Sequence, residues 1–129
     1  MVESDLKDIY LGAVETDNLN DVRVYIINIS DEPKTVQLLQ GSFDGDDDGL
    51  LDLGHSPYKD LIIPAKGFVE IDHMEDGGEL DFTTHYNIRF GDTEYMEDIS
   101  GRSFLYHKPV VIPILNKKGY FSGFNKIGK

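Results

Sequence analysis

Val22-Arg23-Val24-Tyr25-Ile26-Ile27-Asn28-Ile29 is the stretch of sequence that decides the fold. Most of its residues are β-branched or aromatic, which favours a strand over a helix. The apolar residues at its centre would face both sides of a sheet, so we place this strand inside a sheet rather than at its edge. Residues 17–21 before it and 28–34 after it are typical of turns. The sequence therefore predicts an internal β-strand bounded by turns.

Apolar residues spaced two apart recur on both sides of this strand and predict further strands. Ile9, Leu11 and Ala13 predict a first strand, and Thr35–Gln40 predicts a hairpin partner for the strand at 22–29. Tyr95–Gly101 is predicted to form a short helical turn or a loop. Further strands are predicted over residues 61–63, 68–72, 82–90, 104–107 and 110–115. About seven or eight short strands without a long helix predict an all-β fold, an antiparallel β-sandwich or a small barrel.

Alternation also predicts which side chains face the core. Val69 and Ile71 should face inward, whereas Glu70 and Asp72 should face outward. We expect the inward residues of several strands to form one dry layer between two sheets: Val24, Ile26, Val69, Ile71, Phe82, Tyr86, Ile88 and Phe90.

The order of these elements is similar to that of immunoglobulin-like sandwich modules. The resemblance rests on a central strand, the turn Asn28-Ile29-Ser30-Asp31-Glu32-Pro33, a partner strand, and the run Leu61–Gly67 before another strand. It covers roughly residues 22–90 and implies an immunoglobulin-like sandwich but no particular function. The Cys–Trp–Cys core of antibody domains is absent, because the chain contains neither Cys nor Trp.

Charge is distributed unevenly along the 129 residues. All 24 acidic residues fall between Glu3 and Asp98, a segment with 6 basic residues and hence a net charge of −18. Residues 99–129 contain 6 basic residues and no acidic one, a net charge of +6. The total of −12 argues against general nucleic-acid binding, which depends on Lys and Arg. The two segments should attract each other, either within one molecule or between neighbours.

The positive charge is concentrated in a basic and aromatic C-terminal arm, predicted over residues 116–129, which follows a sandwich domain over residues 1–115. Its lysines could bind an acidic neighbour while its aromatic side chains fill pockets. Two alternatives stay open: a last strand that docks on its own domain, and a loose anion-binding tail. The candidate interaction residues are Lys117, Lys118, Tyr120, Phe121, Phe124, Lys126 and Lys129.

Asp44-Gly45-Asp46-Asp47-Asp48-Gly49 matches the first half of a calcium-binding loop, in which alternate aspartates supply hard oxygen ligands. The twelfth position is His55 rather than the bidentate Glu of a helix–loop–helix site, and the flanks predict strands. A weaker calcium site in a strand-flanked loop stays open beside a simply solvated acidic loop, which we favour. The candidate ligands are Asp44, Asp46, Asp48 and Asp52.

Other chemistry has little support in the sequence. The absence of cysteine excludes disulfides, thiolate catalysis and cysteine metal sites. The four histidines (His55, His73, His85 and His107) lack metal-ligand spacing, and no hydrolase or nucleotide-binding motif occurs. His85, Asn87 and Arg89 share the polar face of one predicted strand, which we expect to be its solvated side rather than a groove. We therefore expect no catalytic residues, and no cofactor other than calcium.

These observations favour a non-enzymatic interaction or assembly module whose partner is another protein or a second copy of itself. By analogy with small sandwich proteins of viral particles, we expect a structural component of a virus, a phage or another multi-subunit assembly. The alternative is a calcium-dependent module that binds a ligand such as a carbohydrate through the loop from Asp44 to His55. The amino terminus does not resemble a signal peptide, and no apolar run would span a bilayer, so we expect a cytoplasmic protein or part of an assembly formed in the cytoplasm.

Overall fold

The computed structural model describes residues 6–15, 22–44, 50–52, 58–74, 84–99 and 109–127, which form an all-β structure of eleven strands. None of these residues forms a helix of the length and apolarity that crossing a membrane requires. The strands are β1 (Ile9–Glu15), β2 (Val22–Asn28), β3 (Lys34–Asp44), β4 (Leu50–Asp52), β5 (Tyr58–Ile63), β6 (Gly67–Met74), β7 (Thr84–Phe90), β8 (Thr93–Ile99), β9 (Val110–Val111), β10 (Lys118–Gly123) and β11 (Asn125–Lys126).

These strands form two antiparallel sheets. Sheet A has the order β6-β2-β1-β10-β9, which places β2 inside the sheet as predicted. Sheet B has the order β11-β8-β7-β3-β4, and β5 also pairs with β3. The predicted strand over residues 104–107 lies outside the described residues.

Consecutive strands often lie in different sheets, which corrects the predicted hairpin between β2 and Thr35–Gln40. Strand β2 pairs with β1 and β6, whereas β3 pairs with β4, β5 and β7. Both edges of β2 are occupied by other strands, so the chain crosses to the facing sheet after residue 28. Strands β5 and β6 are separated in the same way, since β5 pairs with β3 and β6 with β2.

Buried Asn28 ties these two crossings together. The two N–H hydrogens of its side-chain amide serve three backbone carbonyl oxygens, so one hydrogen is shared: those of Glu32 (2.8 Å), Ile63 (3.2 Å) and Pro64 (3.1 Å). Its Oδ1 accepts hydrogen bonds from the backbone N–H of Ser30 (2.9 Å) and from its hydroxyl (2.7 Å). The fully buried polar side chain is therefore satisfied, and it holds the β2–β3 crossing against the β5–β6 crossing.

The interior between the sheets confirms the predicted dry layer for the residues that the structure describes. Val24, Ile26, Ile71, Tyr86 and Ile88 are buried in one cluster, and Val69 and Phe90 pack against it. Phe82 lies outside the described residues.

Asp72 departs from the predicted alternation because of a β-bulge in β6. Val24 pairs with Asp72 and Tyr25 pairs with Glu70, so Ile71 is an extra residue on β6. An extra residue reverses the faces beyond it. The prediction that Asp72 faces outward is therefore wrong: its Oδ2 accepts a 2.7 Å hydrogen bond from the hydroxyl of buried Tyr86 in sheet B.

Strand β8 replaces the helical turn or loop that was predicted over Tyr95–Gly101. It pairs with β7 over seven residue pairs, from Thr84–Ile99 to Phe90–Thr93. Tyr95 packs against the interior cluster, and Glu97 contacts Ser122 of sheet A. The prediction missed this strand because Glu97 occupies a position where alternation would place an apolar residue.

A second apolar cluster lies on the outer face of sheet A. Val14, Tyr25, Ile27 and Ile112 are buried there, and Ile114, Leu115 and Phe121 are among the residues that pack against them. The predicted strand over residues 110–115 is therefore only Val110–Val111, because the chain beyond it turns to cover this face. Ile114 has a φ of 71°, which a strand excludes.

Candidate functional site

The aspartate-rich motif falls largely outside the described residues. Asp46, Asp48 and His55 are among the residues that the structure does not describe. Asp44 ends β3 and pairs with Leu50, and Asp52 ends β4 and pairs with Ser42. The flanks of the motif are thus strands, as predicted, and the calcium site stays a prediction.

The predicted C-terminal arm contributes two strands to the sheets. Strand β10 pairs with β1 over four residue pairs, from Tyr10–Gly123 to Ala13–Tyr120. After Phe124 the chain enters sheet B, where β11 pairs with β8. Lys129 lies outside the described residues. Within one molecule this arrangement is that of a last strand that docks on its own domain, one of the alternatives left open by the sequence.

The aromatic side chains of this segment pack against other residues of the same chain, whereas its described lysines are exposed. Phe124 is fully buried and Tyr120 packs against the interior cluster. Phe121 lies in the outer cluster, with its ring centroid 4.9 Å from that of Tyr10. The described lysines, which are Lys117, Lys118 and Lys126, are all exposed. The structure therefore separates the predicted interaction residues into internal aromatics and external cations.

Strand β9 forms one edge of sheet A and exposes apolar side chains beside two of these cations. The side chains of Val110 and Val111 are 46% and 60% exposed. Their partners in β10 are Gly119 and Lys118, and Lys117 directly precedes Lys118. An edge strand also presents backbone N–H and C=O groups that lack a neighbour on one side. Among the described residues β10 is the strand that pairs with β9, so within that part of the chain this edge is apolar, basic and open to a further strand.

Strand β6 forms the opposite edge of sheet A, and its character is apolar and acidic. Phe68 is 43% exposed, and its ring packs edge-on against Tyr25 with centroids 5.5 Å apart. Glu70 is exposed and forms a 2.9 Å ion pair with Arg23. Of the two acidic residues of β6, Asp72 turns towards Tyr86 in sheet B, so Glu70 is the carboxylate that this edge exposes.

The outer face of sheet B is polar, as predicted for His85, Asn87 and Arg89. Asn87 and Arg89 are exposed, and His85 Nδ1 lies 2.6 Å from Asp98 Oδ1 on the neighbouring strand. A carboxylate that orients a histidine also occurs in hydrolases, but catalysis further requires a nucleophile and oxyanion donors in place. The pair by itself fits a cross-strand hydrogen bond on the polar face of sheet B.

Sequence analysis missed Glu97, whose carboxylate lies between the two sheets. The hydroxyl of Ser122 donates to Glu97 Oε2, and that of Tyr120 lies 3.5 Å from the same oxygen. Burial raises the pKa of Glu97 and the nearby Asp98 carboxylate raises it further, whereas hydrogen bonds from the backbone N–H of Asp98 and from Tyr120 lower it. Its position two residues after Tyr95 and two before Ile99 could have revealed it, because residues two apart in a strand share one face. This contact links β8 in sheet B to β10 in sheet A.

A surface groove of about 460 Å³ lies where β11 meets β8. It is open to solvent, and its lining combines two cations with two carboxylates and little apolar surface: Arg89, Asp92, Thr93, Glu94, Lys126 and Ile127. Binding pockets for small molecules are usually concave and mainly apolar, so this groove does not resemble one.

Comparison of the chain with protein-family models, with curated proteins and with solved structures gives no match. Function must therefore be argued from the surfaces themselves, of which the two edges of sheet A combine exposed apolar side chains with opposite charge.

Proposed function

We propose that this protein is a non-enzymatic, immunoglobulin-like sandwich module that works by assembling with other copies of itself. The strand order supports the immunoglobulin-like relationship. Strands β1, β2 and β6 share one sheet and β3, β7 and β8 share the other. The A, B and E strands and the C, F and G strands of immunoglobulin domains are divided in the same way. On this assignment β9 and β10 extend the first sheet beside β1, and β11 extends the second beside β8.

The observation that carries the assembly function is the exposed apolar edge at β9 with its two lysines. Val110 and Val111 are exposed, whereas Ile112 and Phe124 of the same segment are buried. Lys117 and Lys118 lie beside them, in a protein whose net charge is −12. Exposed apolar side chains with complementary charge around them are typical of protein–protein contacts. The acidic body of a second copy is a partner of fitting charge.

A structural subunit of a larger particle, such as a virus or phage, is the biological setting that we propose for such a module. This step rests on analogy with other small sandwich proteins that assemble into particles.

Sedimentation velocity at low and high salt tests the assembly function. We expect oligomers at low salt that dissociate as salt screens the contact between the basic edge and the acidic body. The double variant K117E/K118E should be monomeric at every salt concentration. The matched control K7E/K59E makes the same change in net charge at two exposed lysines outside the C-terminal segment, and it should assemble like the unmodified protein. A protein that is monomeric at low salt and high concentration would rule the assembly function out.

A further inference from the structure

We infer that copies of this chain join edge to edge through sheet A, with β9 of one copy against β6 of the next. This inference rests on the proposed assembly function and identifies the two surfaces that carry it. In the described part of the chain, β9 has β10 as its hydrogen-bonded neighbour and β6 has β2. Each strand therefore has one side on which backbone groups can pair with a strand of another molecule.

Two edge strands of sheet B, β5 and β11, are less suited to this pairing. Strand β5 exposes Ile62, but Asp60 within it has a φ of 50°, which interrupts an extended edge. A backbone irregularity of this kind is a device by which sheets avoid pairing. Strand β11 is Asn125–Lys126, which offers no apolar side chain.

The available part of β6 is its first half. The hydroxyl of Tyr58 donates to the carbonyl of Ile71 at 3.2 Å, so this group of the bulge already has a partner. Gly67 to Glu70 lie before the bulge and include the exposed side chains of Phe68 and Glu70. An incoming β9 would therefore meet an aromatic ring and a carboxylate.

Charge favours contact between unlike edges over contact between like edges. Two β9 edges would bring Lys117 and Lys118 of both copies together, whereas a β6 edge presents Glu70, which keeps its ion pair with Arg23 of its own copy. Like charges opposite each other destabilise a pairing, whereas opposite charges stabilise it. A β9–β6 contact places the lysines of one copy beside Glu70 of the next, and it brings Val110 and Val111 towards Phe68.

The strand directions determine what this contact builds. Every neighbouring pair in sheet A is antiparallel, and β9 is the fourth strand along from β6, so the two edges run in the same direction. If a second copy is added with the same face of its sheet A on the same side, its β6 therefore runs parallel to β9 of the first copy. Such a head-to-tail contact uses two different surfaces and leaves one of each free, so it generates a ring or a filament.

Cysteine cross-linking tests the contact directly, because the chain contains no cysteine. V111C replaces an exposed side chain and should keep the Tm of the unmodified protein. F68C also removes the ring contact with Tyr25 and should lower the Tm, so the cross-linking is carried out well below that temperature. A short bismaleimide cross-linker tolerates uncertainty in register. We expect covalent dimers when V111C and F68C are mixed at low salt, at a yield several-fold above that of either variant alone. The double variant V111C/F68C should give a ladder of multimers. N87C, exposed on the outer face of sheet B, is the matched control and should give neither.

Each other outcome overturns the inference in a recognisable way. Efficient cross-linking of V111C alone would show that β9 pairs with itself. Oligomers in sedimentation without β9–β6 cross-links would overturn these surfaces but leave the assembly function standing. Monomers under all conditions would remove the proposed function and this inference together.

Discussion

Glu97 shows how a single residue can work against the pattern of its strand. Its neighbours two positions away on β8 are Tyr95, which packs against the interior cluster, and Ile99. A carboxylate at this position loses hydrogen bonds to water. Contacts with the hydroxyls of Ser122 and Tyr120 offset part of that loss, and the pKa is still raised. The side chain thus links the two sheets at the cost of burying an ionisable group.

The raised pKa of Glu97 predicts how stability depends on pH. A carboxyl group whose pKa is higher in the folded than in the unfolded protein binds its proton more tightly in the folded state. Its contribution to the free energy of unfolding is therefore largest below the ordinary value of 4.5 and is lost as the pH rises through the raised pKa. Because glutamine stays neutral, E97Q should be more stable than the unmodified protein above that pKa, and the difference should vanish in acid.

Chemical denaturation from pH 4 upwards, in steps, measures this difference. E94Q removes a carboxylate from an exposed position on the same strand and serves as the control. A stability gain in E97Q that does not change with pH would show that ionisation of Glu97 is not its cause.

At the scale of elements, β10 owes its close fit against β1 to Gly119. A Cβ atom at this position would overlap the carbonyl oxygen of Ala13 and lie 3.1 Å from Ile112 Cδ1. The obstacle is backbone of a central strand of sheet A, which a rotamer change cannot move. The absence of a side chain at residue 119 is therefore a condition for packing β10 against β1.

G119A should accordingly destabilise the protein by about 3 kcal/mol, as overpacking against a fixed neighbour does. G91A is the matched control, because a Cβ there meets nothing within 4 Å and the substitution costs only the strain of a φ of 66°. That strain amounts to about 1 kcal/mol. Denaturant unfolding of both variants compares the two costs, and equal losses would show that β10 can shift away from Ala13.

The elements also show what the sequence could and could not predict. Strand β2 was predictable because apolar residues occupy both of its faces, and the structure explains this: Val24 and Ile26 face the interior, while Tyr25 and Ile27 belong to the outer cluster. The pairing of β2 was not predictable from local pattern, since it depends on which distant strands occupy its edges. The bulge at Ile71 likewise depends on how β6 pairs with β2. The alternation of apolar and polar residues in β6 therefore did not predict that Asp72 faces inward.

The sequence of β10 and the residue after it has the alternation of a strand, but the positive charge of the segment obscured this pattern. Tyr120 and Phe124 pack against or within the interior cluster, Ser122 contacts Glu97, and Phe121 packs on the outer face. This alternation is typical of a strand, yet the surrounding lysines and glycines made residues 116–129 resemble a separate arm. The charge asymmetry itself stays informative about the surface, because the described lysines of this segment remain exposed.

For the molecule as a whole, the position of β10 beside β1 means that the carboxyl-terminal segment completes the sheet that the first strand begins. Without residues 117–129, β1 would lose one of its two neighbours, and the interior would lose Tyr120 and the fully buried Phe124. Replacing a buried Phe by Ala alone costs about 3–5 kcal/mol. A typical domain has only about 5–15 kcal/mol of stability in total.

We therefore predict that a chain ending at Asn116 does not fold, even though the composition suggests a domain boundary near residue 115. Its circular dichroism spectrum should lack a cooperative thermal transition. The milder F124A should keep the transition at a Tm lowered by about 12–20 °C, given about 4 °C per kcal/mol for a domain of this size. Removal of Gly128 and Lys129 alone controls for truncation and should leave the Tm unchanged, because β11 ends at Lys126. A shortened chain with the original Tm would show instead that residues 1–115 fold on their own and that the remainder is an arm. The same reasoning explains why charge reversal at Lys117 and Lys118, rather than truncation, is the appropriate test of assembly: deleting the basic segment would remove the sheet along with the contact.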